Sequence, residues 1–162
     1  MEKLISIALK YQSKLEAYAK EPYGTCYISG PCIANYLNSI GIPARDVTGT
    51  LILRDKHGKE IIYGKGQLSN KNIGKYHTWC EATIEGKTYV VDASLKYNKI
   101  YLRKHQLKPI KISKQVPDVL VTDMNETYYW KFKEDISLES LSKAFLRKCS
   151  PNLIDYLSQL DS

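Results

Sequence analysis

The sequence of 162 residues contains no long apolar run, and nothing in it approaches the roughly 18 apolar residues that a membrane-spanning helix needs. It also lacks a C-x-x-C pair, a His/Cys cluster with zinc-ligand spacing and a clustered acidic loop of the calcium-binding kind. Repeats, low-complexity tracts and linkers are absent too. We therefore expect one domain over residues 1–162, with no membrane contact, metal or cofactor.

The presence of four cysteines is not by itself evidence for disulfide bonds. Cys26, Cys32, Cys80 and Cys149 could form two bridges on number alone. A chain of this length can fold without disulfide bonds. The first ten residues predict an amphipathic helix instead of an export signal, because their apolar stretch is short and Glu2 precedes it. We expect four free thiols in a cytoplasmic protein.

Acidic residues are outnumbered, with 17 against 24 basic ones, so the formal net charge is +7. Nucleic-acid binding is one interpretation of this excess, but the lysines are scattered and only the loop 64–75 is locally basic. Base stacking needs aromatic residues grouped on one surface, whereas the 13 tyrosines are dispersed along the chain. We expect a solvated basic surface and no nucleic-acid ligand. A preference for an acidic partner is an alternative that the sequence leaves open.

Hydrophobic periodicity and turn residues predict an alternation of helices and strands that is typical of an α+β domain. A first helix is predicted at 3–20, a second follows the break at 21–24 and ends near Ser39, and two more close the chain. Ser150 and Pro151 are a good N-cap and first residue for the last helix. The predicted strands are 47–54, 60–63, 76–84, 87–92, 99–103, 109–113 and 127–132.

Two cysteines compete for the role of nucleophile. Cys26 follows a Gly-Thr pair at a predicted helix start, where the positive end of the helix dipole favours a thiolate. Cys32 follows Pro31, which also suits a first helical turn. If the helix begins at Cys26, Pro31 lies beyond that turn and must strain it. Local rules leave both cysteines open.

A predicted hairpin brings a base and an acid together. If Glu85-Gly86 is a two-residue turn, Trp79 lies opposite Asp92 with both side chains on one face. His77 shares that face and is diagonal to Asp92, a separation of roughly 7–8 Å that long side chains can bridge. A carboxylate that binds one imidazole nitrogen directs the other nitrogen toward a thiol.

Three segments of the sequence, within about residues 24–94, resemble the transglutaminase-like superfamily of papain-like cysteine enzymes. The first is the cysteine helix followed by a Gly-Ile-Pro-Ala-Arg turn at 41–45 and a strand from Val47. The second is the His-x-Trp-x-Glu strand at 77–81. The third is the strand ending in Asp-Ala-Ser at 92–94, similar to the family's Asp-Pro-Thr end.

The resemblance implies the fold and the chemistry. It implies a papain-like α+β fold, in which a cysteine helix packs on an antiparallel sheet, and a triad of nucleophile Cys26, base His77 and orienting acid Asp92. Counted back from the Gly-Ile-Pro turn, the family's nucleophile falls on Cys26, and Cys32 falls on a buried small residue.

The resemblance also implies cysteine-dependent acyl transfer. We expect hydrolysis of a peptide or isopeptide amide, since no second domain that would dock an amine donor is visible in the sequence. Transfer of the acyl group to an amine and a vestigial binding module are the alternatives. Gln12 and Tyr23 are candidates for the oxyanion-hole side chain, and loop 64–75 is a candidate lid over the cleft.

Overall fold

The computed structural model describes residues 1–20, 22, 25–58, 60–64, 75–104 and 117–161, without the side chains of 61, 101 and 102. The described elements are, in chain order, α1 (Glu2–Tyr18), α2 (Cys26–Ser39), β1 (Ala44–Arg54), β2 (Glu60–Tyr63), β3 (His77–Ile84), β4 (Lys87–Asp92), α3 (Leu95–Lys104), β5 (Leu120–Asp123), β6 (Trp130–Glu134), a 3₁₀ turn (Ile136–Leu138), α4 (Glu139–Leu146) and α5 (Pro151–Leu157). This mixture of helices and one antiparallel sheet is compatible with the predicted α+β class.

The longest strand, β1, organises the sheet. The strands run in the order β2-β1-β3-β4-β5, and β6 also pairs with β1. β3 pairs with residues 44–49 of β1 and β2 with residues 51–54, while β6 pairs with residues 49–53 and so takes the other edge. Gly49 makes this crowding possible, because a Cβ there would collide with the carbonyl oxygen of Lys133 in β6.

The β3–β4 hairpin has the predicted register. Ile84 lies opposite Lys87, and the pairing continues to Cys80 opposite Val91. Both turn residues have positive φ, 52° at Glu85 and 77° at Gly86, which is the conformation of a type I′ turn. The turn therefore fixes which side chains share a face of the hairpin.

Helices α1 and α2 cover one face of the sheet, and α5 packs against these two helices. The predicted apolar stripe of α1 is buried there, together with Cys32 of α2, Cys80 of β3 and Val91 of β4. On the other face, Trp79 packs with Val47, Val90 and Phe132. A pleated strand alternates its side chains between two such environments, so β3 is buried on both faces.

The backbone of α2 lies very close to β3 at Gly30. A Cβ built on this glycine would lie 2.9 Å from both the carbonyl oxygen of Trp79 and the Cγ2 atom of Thr78. Gly30 is one helical turn after Cys26, so it sets the distance between the start of α2 and the start of β3. A larger residue would push the two elements apart.

The C-terminal part of the sequence was predicted less well. The strand predicted at 99–103 is wrong, because these residues belong to α3, and the segment 109–113 lies outside the described residues. The strand predicted at 127–132 corresponds to β6, which begins three residues later, at Trp130, and ends at Glu134. The strand β5 was not predicted. Short apolar runs do not distinguish a strand from a buried helix. Both closing helices and the Ser150 cap, whose side chain accepts from the amide of Asn152, are confirmed.

All four cysteines are free thiols, as expected. Within the described part of the chain, no helix combines the length and apolar character that crossing a membrane requires.

We predict that Gly30→Ala destabilises the fold. Alanine in an unobstructed helix stabilises by about 0.5–1 kcal/mol relative to glycine, whereas a methyl group forced against β3 costs about 1–3 kcal/mol. The sign of the change in the free energy of unfolding, measured with urea, is therefore decisive. A stabilised variant would show that α2 and β3 are not in tight contact.

Candidate active site

His77 and Asp92 form a buried pair at the ends of adjacent strands. His77 opens β3 and Asp92 closes β4, and the Nε2 atom of His77 lies 2.6 Å from the Oδ2 atom of Asp92. The side chains are 2% and 0% exposed. The predicted diagonal neighbours are thus in direct contact, and the Nδ1 atom of the imidazole is left for another partner.

The second oxygen of Asp92 is held by Ser94. Its Oδ1 atom accepts from the backbone amide of Ser94 at 2.9 Å and from the Ser94 hydroxyl at 2.7 Å. Both carboxylate oxygens therefore have fixed partners. No role was predicted for Ser94, although an Asp-x-Ser segment is a known signal for this kind of local hydrogen bonding.

Cys26 is the first residue of α2, and its side chain lies close enough to the His77 ring to raise the pKa of His77. Thr25, the residue before this helix, does not cap it with its side chain, because its hydroxyl donates to the carbonyl of Pro22 at 2.7 Å instead. The first turn contains no acidic residue. The positive end of the helix dipole therefore lies beside the thiol, where it favours a negative charge.

The helix start separates the two candidate cysteines. Cys32 lies well inside α2, is fully buried and directs its Sγ atom at the carbonyl of Ile154, 3.7 Å away. Burial raises the pKa of Cys32 to about 11, so its thiol stays protonated at neutral pH. Pro31 lies inside the helix as well, and α2 continues past it to Ser39.

The electrostatics of the site favour a protonated His77. Burial alone would lower its pKa, because a charge is poorly solvated in the interior. The charge of Asp92 and its hydrogen bond to His77, with a smaller contribution from Cys26, outweigh burial and raise the pKa of His77 from 6.5 to about 10. An imidazolium beside a thiol is the setting in which a thiolate forms.

Aromatic rings enclose the pair from two sides. Trp79 stacks on the His77 ring with a centroid distance of 6.0 Å, and Tyr63 meets it edge-on at 5.8 Å. On the side of the thiol, Tyr27 and Tyr76 both contact Phe145 of α4, at 5.6 and 6.2 Å. Burial is the main reason why the pKa of Tyr27 is raised to about 12 and that of Tyr76 is raised well above its usual value. Both phenols therefore stay neutral near the site.

A polar network fixes the ring that stacks on His77. The Nε1 atom of Trp79 donates to Glu81 at 3.1 Å, and Glu81 is bound by Arg45 at 3.0 Å. Arg45 also donates twice to Glu134 of β6, at 3.0 and 3.1 Å. The His-x-Trp-x-Glu pattern pointed to three of these residues, but the partners from β1 and β6 are distant in sequence.

The sequence offered Gln12 and Tyr23 as oxyanion-hole candidates and the loop 64–75 as a candidate lid. Gln12 does not supply an oxyanion donor, because its amide nitrogen donates to the carbonyls of Ala93 and Asp118, at 3.0 and 2.9 Å. Tyr23 and residues 65–74 of the candidate lid lie outside the described residues. Among the residues that the structure describes, no three His, Cys, Asp or Glu side chains are grouped as a metal site needs.

Comparisons with known proteins support the fold alone. No family model and no curated protein matches the sequence. The crystal structure of a genomics target, whose name states no activity, is similar to this chain with a TM-score of 0.57 and 12% sequence identity. The match covers 96% of this chain and 74% of the other.

We predict that iodoacetamide at neutral pH alkylates Cys26 before the other cysteines. Cys149 is more exposed, so the order of labelling separates thiolate character from access. Peptide mapping by mass spectrometry after brief labelling measures the order. His77→Gln should slow labelling of Cys26 and leave that of Cys149 unchanged. Preferential labelling of Cys149 or Cys32 would contradict the assignment.

We predict that the stabilisation provided by His77 falls as pH rises. Its folded pKa of about 10 exceeds the unfolded value, so the contribution is complete below pH 6.5 and disappears as the pH passes through 10. Urea unfolding of the wild type and His77→Gln gives this contribution as a difference. We expect the difference to shrink by a few kcal/mol between pH 6.5 and 10.5. A constant difference would mean that His77 does not titrate in this range.

Proposed function

We propose that this protein is a cysteine-dependent acyl-transfer enzyme with a papain-like, transglutaminase-like fold. Cys26 is the nucleophile, His77 the general base and acid, and Asp92 the group that orients His77. The observation that carries the proposal is the buried pair of His77 and Asp92, 2.6 Å apart, with Cys26 beside His77 at the start of α2.

The geometry suits attack on an amide carbonyl. His77 holds the proton of the thiol while the sulfur of Cys26 attacks the carbonyl carbon. The negative charge that develops on the carbonyl oxygen lies next to the start of α2, at the positive end of the helix dipole. His77 then gives its proton to the leaving amine, so the C–N bond breaks and a thioester on Cys26 remains.

We propose that water resolves this thioester, so that the net reaction is hydrolysis of a peptide or isopeptide amide. After the amine leaves, neutral His77 can take a proton from water at the position where it protonated the amine. Hydrolysis needs no second site for an amine donor. Transfer to an amine uses the same first half-reaction and differs only in what enters next.

The burial of His77 and Asp92 argues against a vestigial binding module. Removing two ionisable groups from water costs several kcal/mol per charge, and a hydrophobic pair of similar volume is often as stable or more stable. Both side chains are nevertheless at most 2% exposed. A chain that no longer used this pair could replace both residues together with apolar ones at little or no cost in stability.

We predict that p-nitrophenyl acetate, a general acyl donor, acetylates Cys26. Release of nitrophenolate measures the rate, and intact mass with peptide mapping locates the acetyl group. Cys26→Ala should abolish acetylation at this position, and His77→Gln should lower the rate by about 10²–10⁴-fold because the general base is lost. Cys32→Ala is the matched control and should react like the wild type. Wild-type protein that gains no acetyl group on Cys26 would overturn the proposal.

The fate of the acetyl group then distinguishes hydrolysis from transfer. We expect the acetylated protein to return to its original mass in buffer, with free acetate as the product. If a fluorescent primary amine instead takes the acetyl group in competition with water, the enzyme is a transferase and the assignment to hydrolysis is wrong.

A further inference from the structure

The segment from Asp92 to Ser94 connects β4 to α3 and carries the orienting acid. The carbonyl of Ser94 accepts from the amides of Tyr97 and Asn98, at 3.1 and 3.4 Å, so Ser94 stands at the start of α3. A serine at this position usually turns its hydroxyl forward to cap a helix amide. Here the hydroxyl turns back and donates to Asp92 at 2.7 Å.

Gln12 holds the same segment from the side of α1. It is 3% exposed and lies beside the buried apolar stripe of that helix. Its amide nitrogen bridges the carbonyl of Ala93, at 3.0 Å, and the carbonyl of Asp118 ahead of β5, at 2.9 Å. The residue between Asp92 and Ser94 is therefore tied to two other parts of the fold.

We infer that Ser94 and Gln12 are positioning residues that fix the carboxylate of Asp92 and thereby the orientation of the His77 ring. This inference rests on the proposed function. Ser94 occupies Oδ1 with two hydrogen bonds and leaves Oδ2 for His77. Gln12 stops the backbone that carries the carboxylate from shifting. Neither residue is within the triad, and both act through Asp92.

The roles of the two residues differ in kind. Loss of the Ser94 hydroxyl lets the carboxylate rotate, so that the His77 ring is held less firmly and the proton is shared less well with Cys26. Loss of the Gln12 amide frees the carbonyls of Ala93 and Asp118 and loosens the segment as a whole. Because both effects reach the thiol through one carboxylate, they should not be additive.

Ser94→Ala tests the inference, with Ser29→Ala as the matched control. Ser29 is as buried as Ser94, 1% against 2% exposed, but its hydroxyl has no hydrogen-bond partner among the described residues. We expect Ser94→Ala to lower the rate of Cys26 acetylation by p-nitrophenyl acetate about tenfold, the worth of one hydrogen bond. Ser94→Thr, which keeps the hydroxyl, should restore most of the rate, and Ser29→Ala should react like the wild type.

The pH profile of alkylation gives a readout that a purely structural role would not move. We expect the midpoint for alkylation of Cys26 by iodoacetamide to rise by about half a pH unit or more in Ser94→Ala, because the imidazolium beside the thiol is held less firmly. Gln12→Met should move it in the same direction, and the double variant should fall short of the sum. Thermal unfolding of each variant reports whether the fold is retained.

The outcomes separate this inference from the proposed function. If wild-type Cys26 is acetylated while Ser94→Ala matches Ser29→Ala in rate and midpoint, Ser94 is not a positioning residue and the proposed function stands. If a stably folded Ser94→Thr is as slow as Ser94→Ala, the hydroxyl is not what matters and the inference is wrong. If wild-type Cys26 is not acetylated at all, the proposed function has failed first.

Discussion

The hydrogen bond between His77 and Asp92 is the interaction on which the remaining site depends. It can form only if β3 and β4 pair in one register, because a shift by a single residue would move one of the two side chains to the other face. The type I′ turn at Glu85 and Gly86 sets that register. A few backbone angles at a distant turn thus place an acid and a base within 2.6 Å.

The position of the thiol depends on a different constraint, the contact between a helix and a sheet. Gly30 allows the backbone of α2 to approach the carbonyl of Trp79, and Cys26 is then carried to the end of β3 where His77 begins. The two constraints are independent, since one acts within a hairpin and the other between layers. Together they bring the side chains of Cys26 and His77 to the same place.

The sequence allowed the local parts of the site to be predicted, and it did not reveal the long-range ones. His77 and Asp92 belong to one hairpin, so turn length and strand alternation were sufficient to bring them together. Cys26 needed the family resemblance, because helix rules alone could not separate it from Cys32. The partners of Glu81 and the actual contacts of Gln12 link residues far apart in the chain, and no periodic pattern encodes them. The strand β5 is only four residues long and carries too weak a pattern to be recognised.

The double pairing of β1 has a consequence for how the molecule folds. Cys26, His77 and Asp92 lie in the first 92 residues, but among the described residues one edge of β1 pairs with β6, where Leu53 lies opposite Trp130. Contacts over such separations form late, since the entropy of closing a long loop must be paid first. During synthesis this edge of β1 therefore stays unpaired until β6 has been made, and an unpaired edge can pair with another chain. The molecule is then most prone to aggregation at a stage when Cys26, His77 and Asp92 have already been made.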